Sequence, residues 1–334
     1  MEQKVLRFGT VVIVGALLLR LLGAGTVNFL LSPKFASWMF FLQTGRASKP
    51  VTIEFTDPPK PTAPTVPPPT KPAPQPTEPT TISIPTFSPE DAGAITISSG
   101  FSYQADLPGL LSKPLSWDLT GEEPTVLIVH SHGTESFTGG DYQETSPYHT
   151  LDKDHNMLSI GAYVASLLEA EGISVIHDTA IHDNPSYDLS YTNSRRSVQE
   201  YLKRYPSIRL VLDLHRDSYE DAAGNQIAHT VFSEGETLAP LMFVVGTDYG
   251  GLTHPNWQEN LSLALKLQTQ LEDLCPGICR NLNLRTQRFN QDLSTGALIV
   301  EVGAAGNTRQ EALSSIDLLA QGILRLAWGT EPVY

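Results

Sequence analysis

The sequence predicts an α/β fold built on a mostly parallel sheet that is flanked by helices. Runs of apolar residues recur along the chain, as in Val126–Val129 and residues 297–300. Segments with apolar residues at helical spacing, such as residues 156–170, lie between these runs. Continuous apolar strands that alternate with helices are typical of parallel sheets covered on both faces. Ligands of such sheets bind beyond the carboxyl ends of the strands, where His and Glu residues follow three of these runs.

The N-terminal segment, residues 1–31, is predicted to be a membrane anchor. Residues 8–31 are nearly all apolar apart from Arg20 and Asn28, and about 20 apolar residues span a bilayer as a helix. Arg20 costs about 2.5–3.5 kcal/mol on insertion scales, which the surrounding Leu, Val and Ile residues offset. A cleaved signal peptide is the alternative, with small residues at 23–26 near its cut site.

Residues 32–95 are predicted to be a linker that is rich in Pro and Thr from about residue 50. Pro58-Pro59 and Pro67-Pro68-Pro69 are examples of its composition. A segment of this kind cannot bury a core and forms an extended spacer. Its Pro-rich part of ~40 residues can reach roughly 100 Å at about 3.1 Å per residue.

Residues 96–334 are predicted to be the folded, catalytic domain, in which strands and helices alternate. Strands are predicted at residues 125–130, 173–177, 209–214, Leu241–Gly246 and 297–302, and helices at residues 156–170, 194–204 and Trp257–Leu274. A last helix starts with Thr308-Arg309-Gln310-Glu311, a capping-box pattern.

The composition excludes several classes of protein. The chain has 334 residues, which suits one large core, and its net charge of −14 argues against binding to nucleic acid. Cys275 and Cys279, in a Cys-Pro-Gly-Ile-Cys segment, are too few for a disulfide framework. They are interpreted as ordinary thiols or one local bridge, since two thiolates cannot close a zinc site.

A His or Glu residue follows each of three apolar runs, close to the end of the predicted strand. The first leads to His132-x-x-Glu135, the second to His215 and the third to Glu301. A catalytic zinc site needs three N or O ligands, an open position for water and a nearby carboxylate. The pattern therefore favours such a site, and the alternative is two core-edge histidines with Glu301 in an ion pair.

Further residues are candidates for supporting roles. His130 could be an outer-shell group, a substrate contact or an alternative ligand, since it precedes His132 by two residues. Either Asp213 or Asp217 could accept the other ring N–H of His215. Asp152 is the reserve carboxylate ligand, unless it only stabilises a helix N-terminus.

Arginine is frequent near these segments, and Arg216 and Arg288 are the candidates for holding a substrate carboxylate. A guanidinium binds a carboxylate with two parallel hydrogen bonds.

The chain resembles the stage II sporulation protein P family, cell-wall hydrolases of spore-forming bacteria. The resemblance is carried by residues 126–137 (VLIVHSHGTESF), 175–190 (VIHDTAIHDNPSYDLS), 210–218 (LVLDLHRDS), 254–261 (HPNWQENL) and 288–303 (RFNQDLSTGALIVEVG). It implies a zinc-dependent N-acetylmuramoyl-L-alanine amidase that also cleaves peptide cross-links of peptidoglycan.

The resemblance also implies sporulation partners, stage II sporulation proteins D and M, acting during engulfment. It implies a membrane-anchored protein whose catalytic domain faces the space between the forespore and mother-cell membranes. The His-x-x-Glu, His and distal Glu set is similar to that of zinc carboxypeptidases as well, which favours Glu135 over Asp152 as ligand. Zn²⁺ on His132, Glu135 and His215, with Glu301 as general base, is the expected site. A deacetylase, a carboxypeptidase or a non-catalytic wall-binding scaffold are the rival functions.

Overall fold

The structure is a computed structural model, and the residues it describes are Phe87, Asp91, Gly93, residues 95–115 and residues 118–328. The predicted anchor, residues 1–31, and nearly all of the predicted linker, residues 32–95, lie outside the described residues. Among the helices that the structure describes, none combines the length and apolarity that crossing a bilayer requires. The predicted boundaries at residues 31 and 95 stay predictions.

Strands and helices succeed one another through the described part of the chain, with β2–β4 and β6–β9 following in runs. The strands are β1 (Ile97–Ser99), β2 (Val126–Val129), β3 (Glu144–Ser146), β4 (His149–Thr150), β5 (Val175–His177), β6 (Leu210–Asp217), β7 (Val231–Ser233), β8 (Glu236–Leu238), β9 (Leu241–Gly246), β10 (Leu282–Arg285) and β11 (Ala297–Ala304). The α-helices are α1 (Leu107–Ser112), α2 (Met157–Ala170), α3 (Ser190–Arg204), α4 (Trp257–Leu274) and α5 (Arg309–Trp328). Two 3₁₀ turns, Tyr187–Leu189 and Gln291–Leu293, precede α3 and β11.

Local sequence signals set two of these helix starts. The Asn156 side chain caps α2 by accepting the Leu158 N–H at 3.0 Å. The predicted capping box of α5 is confirmed, because the Glu311 carboxylate accepts the Thr308 N–H and the Thr308 hydroxyl accepts the Glu311 N–H. Such caps satisfy N–H groups that have no partner inside the helix.

A seven-stranded sheet in the order β1-β10-β9-β11-β6-β2-β5 forms the centre of the domain. All neighbouring strands are parallel except β9 and β11, which are antiparallel. The predicted mostly parallel α/β sheet is thus confirmed. The antiparallel pair was not predicted, since a continuous apolar run carries no information on strand direction.

Both faces of the sheet are covered. On one face, Val126 and Ile128 of β2 belong to the large core built with α1, α2, α4 and α5. On the other face, Leu127 and Val129 pack in a smaller cluster with Val198 of α3. Successive side chains of a strand point to opposite faces, so an all-apolar strand can fill both layers. Burying each such side chain contributes about 1.5–3 kcal/mol.

Two strands run further than the sequence predicts. β6 continues through His215 to Asp217, and β11 continues past Glu301 to Ala304. Pairing between these strands extends the ladder, with Glu301 opposite His215 and an irregularity after Glu301. His215 therefore lies within a paired strand rather than just beyond its end, and Glu301 lies inside β11, as the predicted strand over residues 297–302 also had it. Paired backbone holds a side chain more rigidly than a loop does.

Candidate active site

Three adjacent parallel strands bring the predicted site residues together. β2, β6 and β11 are neighbours in the sheet, so their carboxyl-terminal halves share one edge. β2 leads into His132, while His215 and Glu301 are directly paired on β6 and β11. The rings of His132 and His215 have their centres 5.2 Å apart and meet edge to face. The structure thus places His132, His215 and Glu301 in one cluster.

Glu135 completes this cluster from the loop that follows β2. Its Oε2 lies 3.5 Å from Nδ1 of His215 and accepts the Arg216 backbone N–H at 3.2 Å. The Arg216 guanidinium lies 3.7 Å from Oε1. Burial by itself would raise the pKa of Glu135, but the charges of Arg216, His215 and His132 overcome it and lower that pKa to about 2. The Glu135 carboxyl is therefore ionised across the physiological range.

His215 is oriented by Asp213 rather than by Asp217. Nε2 of His215 lies 2.9 Å from Oδ1 of Asp213, in a close ion-pair contact that is not an aligned hydrogen bond. Burial favours the neutral ring, but the carboxylates of Asp213 and Glu135 prevail and raise the pKa of His215 well above its usual value. Ser131 holds Asp213 in turn, through its N–H at 2.7 Å and its hydroxyl at 2.6 Å. Nδ1 of His215 is left facing Glu135.

Glu301 lies in the same cluster but has a different environment from Glu135. Its Oε2 is buried and has no hydrogen-bond partner among the described residues. Burial, together with the negative charge of Glu135, raises the pKa of Glu301 to about 8 against the opposing effect of His215. When the pKa values of two neighbouring carboxyls are pushed apart, one stays ionised and the other can bind and release a proton. Such pairs are typical of acid–base active sites.

The cluster fits zinc in its donor types. His132 Nδ1 is buried without a hydrogen-bond partner in the described part of the chain, as expected of an imidazole nitrogen that binds a metal ion. The 3.5 Å between His215 Nδ1 and Glu135 Oε2 is close to the roughly 3.4 Å that separates two ligand atoms of a tetrahedral zinc. No three His, Cys, Asp or Glu side chains among the described residues already surround a common point at ligand distance. Zinc at this cluster therefore stays a prediction, which the donor types and one spacing suit.

His130 does not join the cluster. Its Nδ1 lies 3.1 Å from the Leu214 carbonyl oxygen, and its Nε2 lies 2.9 Å from Nε2 of His177. Gly161 of α2 leaves room for this pair, because a Cβ there would come within 2.4 Å of the His130 ring. Burial, reinforced by His177, lowers the pKa of His130 to about 3. His130 therefore ties β2 to β6, and its ring nitrogens are not available to a metal or a substrate.

Asp217 and the two candidate arginines have partners inside the protein. Asp217 accepts hydrogen bonds from Arg280 at 2.9 Å and from the Tyr219 hydroxyl. Arg216 is buried and donates to the carbonyls of Ser136 and Tyr148. Arg216 therefore positions Glu135 and the following loop.

Arg288 donates to the Thr253 carbonyl at 3.0 Å and to Asp292 at 3.3 Å. Arg195 also binds Asp292, at 2.7 Å. This ion-pair group fixes the segment before β11.

Asp152, the reserve carboxylate ligand, and the two cysteines have their contacts outside the cluster. Asp152 is exposed and accepts from His155 Nδ1 at 3.0 Å and from its own turn. Cys275 and Cys279 are free thiols at the end of α4. The open choice between thiols and a local bridge is therefore settled as thiols in this structure.

Sequence reasoning did not single out the aromatic residues beside the cluster. Tyr187 stacks on His132 with ring centres 4.1 Å apart and an interplanar angle of 18°. Tyr191 contacts the rings of both His132 and His215. Asp183 fixes the His132 loop by accepting from the Thr134 hydroxyl at 2.6 Å. The signal available was two tyrosines four residues apart, of which Tyr187 lies in a 3₁₀ turn and Tyr191 in α3.

The sequence matches one protein family and one curated relative. The profile described as "Stage II sporulation protein P (SpoIIP)" matches residues 70–324. A "Stage II sporulation protein P" of Bacillus subtilis (strain 168) is 27% identical over 225 residues, which cover 64% of this chain and 54% of that protein. The chain thus spans about half the length of the curated relative it matches.

The solved structures to which the chain is similar include two amidases. The N-acetylmuramoyl-L-alanine amidase AmiC2 of Nostoc punctiforme is 16% identical with a TM-score of 0.38, covering 62% of this chain and 97% of that one. The N-acetylmuramyl-L-alanine amidase Ami1 of Mycobacterium smegmatis is 13% identical with a TM-score of 0.40, covering 64% and 100%. TM-scores of this size are too low to establish a shared fold.

Proposed function

Because the chain belongs to the stage II sporulation protein P family, we propose that it is a peptidoglycan hydrolase of sporulating cells. The proposed reaction is cleavage of the amide between N-acetylmuramic acid and the L-Ala of the stem peptide. The observation that carries the proposal is the cluster of His132, Glu135, His215 and Glu301, in which a buried imidazole nitrogen and a buried carboxylate oxygen have no partner among the described residues. Two imidazoles, a carboxylate ligand and a separate basic carboxyl suit metal-assisted amide hydrolysis.

His132, Glu135 and His215 would hold the ion. Bound zinc would supply Lewis acidity towards the amide carbonyl and the attacking water. Asp213 keeps Nδ1 of His215 facing Glu135, and Arg216 keeps the Glu135 carboxylate in place. Such outer contacts orient ligands and raise their basicity. The pKa of Glu135, about 2, keeps this ligand ionised.

Glu301 is the proposed general base and acid. Its free Oε2 accepts the proton of the attacking water and later delivers it to the leaving amine of L-Ala. In the metal-free protein the pKa of Glu301 is about 8, because the side chain is buried next to another carboxylate. A cation held by the three ligands would favour the ionised form and bring that pKa closer to neutral.

Products from purified peptidoglycan test the reaction. With zinc present, we expect new free amino groups of L-Ala and release of stem peptides, because the scissile bond is the lactyl amide. Removal of zinc by a chelator should stop this release, and added zinc should restore it. Release of acetate with new amines on the sugars rather than on L-Ala would point to a deacetylase, and release of C-terminal residues to a carboxypeptidase. Wall binding without turnover would point to a scaffold.

Endopeptidase activity on peptide cross-links is the second part of the proposal. It rests on family membership alone, and the same digest tests it. Cross-linked dimers should decrease while amine groups other than those of L-Ala appear.

The proposed topology rests on where the substrate lies, and the proposed partners rest on family membership alone. We propose that residues 1–31 anchor the protein and that the domain faces the wall, in the space between forespore and mother cell. Stage II sporulation proteins D and M are the proposed partners during engulfment.

A protease-protection experiment tests the topology. Protease added to intact protoplasts should remove the domain and leave a short protected tail. Complete protection of the domain in protoplasts, with digestion in lysates, would contradict both the topology and the wall substrate. A cytoplasmic protein of the same cells serves as the control for intact membranes.

A further inference from the structure

We propose that the exposed face of Tyr187 and the polar groove beside it form a binding site for the glycan strand. The ligand class is a chain of N-acetylated pyranose sugars. The inference rests on the proposed function, because an enzyme that cuts the muramoyl–L-Ala amide must hold a sugar on one side of the bond. None of the residues of this site was a candidate from sequence.

Tyr187 presents an aromatic surface directly at the catalytic cluster. It opens the 3₁₀ turn Tyr187–Leu189, and one ring face stacks on His132 at 4.1 Å between centres. The residue is nevertheless 54% exposed, which leaves the opposite face to solvent. An exposed aromatic face beside polar groups is a surface on which the apolar face of a ligand can pack.

His149 holds Tyr187 from a second side. The two rings meet edge to face with centres 6.1 Å apart. Nδ1 of His149 donates to the Pro147 carbonyl oxygen at 2.8 Å, which fixes the orientation of the histidine ring. Tyr187 is therefore held before any ligand arrives, and such preorganisation lowers the cost of binding.

A polar groove of about 640 Å³ begins at this same Pro147. Its lining also includes Thr138, Gly140, Tyr142, Tyr148 and the carboxylate of Glu144. The Tyr148 carbonyl accepts from the Arg216 guanidinium at 2.7 Å, and the Arg216 backbone N–H binds Glu135. One buried arginine therefore contacts both the backbone of Tyr148, which lines the groove, and the carboxylate of Glu135.

The combination matches a sugar better than a stem peptide. A pyranose ring has an apolar C–H face that packs on an aromatic ring and a rim of hydroxyl and acetamido groups that needs polar partners. A stem peptide carries carboxylates and would need a cation, but the guanidinium of Arg216 already donates to the carbonyls of Ser136 and Tyr148. A muramic acid ring on Tyr187 would leave its lactyl amide a few bonds away, beside His132.

Binding of a peptide-free GlcNAc–MurNAc tetrasaccharide, measured by calorimetry on the full protein, tests the site without catalysis. Tyr187→Ala should weaken binding by about tenfold or more, as expected when one aromatic stacking contact is lost. Tyr187→Phe keeps the ring and should stay near the wild type. Leu189→Ala is the matched control, because Leu189 is 47% exposed in the same turn. Equal affinity of wild type and Tyr187→Ala, or no binding by the wild type, would overturn the inference.

A pair of substrates separates a glycan contact from mere support of His132. Tyr187→Ala should lose at least about tenfold more kcat/KM on a disaccharide-peptide than on an N-lactoyl peptide that lacks the sugar. Equal losses on both substrates would show that Tyr187 only positions His132 and would overturn the glycan site. Tyr187-dependent glycan binding without any amide cleavage would instead refute the proposed hydrolase and leave the glycan site standing.

Discussion

Replacing Glu301 with glutamine should lower amide hydrolysis by about 10²-fold or more, the range expected for losing a general base. Gln has nearly the same shape but cannot carry the proton from water to the leaving amine. Zinc content and the far-UV spectrum should not change, because His132, Glu135 and His215 remain. The measurement is the rate of amine release from purified muropeptides at saturating zinc.

Glu259→Gln is the matched control for this substitution. Glu259 is exposed in the first turn of α4 and should tolerate the same change without loss of rate. Activity of Glu301→Gln within a few-fold of the wild type would assign proton transfer to another group. Loss of zinc together with activity would instead make Glu301 a ligand.

Glu301→Gln should also change how the folding stability of the protein depends on pH. In the metal-free protein the folded-state pKa of Glu301, about 8, is raised above its unfolded value by burial. The folded state then binds more protons than the unfolded state, so the wild type loses stability as the pH rises from about 4.5 to about 8. Glu301→Gln lacks this loss. Its melting temperature relative to the wild type should therefore increase from pH 5 to pH 8.5 under chelation.

The second large effect concerns the metal. The full domain should bind about one zinc ion, and His132→Ala and His215→Ala should each abolish binding at micromolar zinc, because three ligands are the minimum for a catalytic site. Metal content after gel filtration is the measurement. Stoichiometric zinc in the double variant would refute the assignment.

The same measurement of zinc content decides whether Glu135 or Asp152 is the carboxylate ligand. Glu135→Gln should lose zinc, because Glu135 is buried 3.5 Å from His215. Asp152→Asn should keep it, because Asp152 is exposed and bound to His155. His155→Ala is the control for removing a histidine outside the cluster. Zinc retention in Glu135→Gln with loss in Asp152→Asn would reverse the assignment.

The sequence by itself determined the fold class and the members of the cluster. Short continuous apolar runs such as Val126–Val129 are typical of strands buried between two layers, and the segments of helical spacing between them supply those layers. His132, His215 and Glu301 could be placed at one edge because parallel strands end on the same side. These signals are local, so they can be interpreted from the sequence without knowledge of the tertiary contacts.

Only the tertiary structure decided which neighbours each polar group has. Asp213 and Asp217 flank His215 equally in sequence, yet Asp213 holds the ring while Asp217 binds Arg280. Tyr187 reaches His132 across a distance of 55 positions along the chain, so no motif could pair them. The antiparallel pairing of β9 and β11 is similarly invisible in two apolar runs. Contacts between distant segments depend on how layers pack, and packing is a property of the whole chain rather than of any stretch of it.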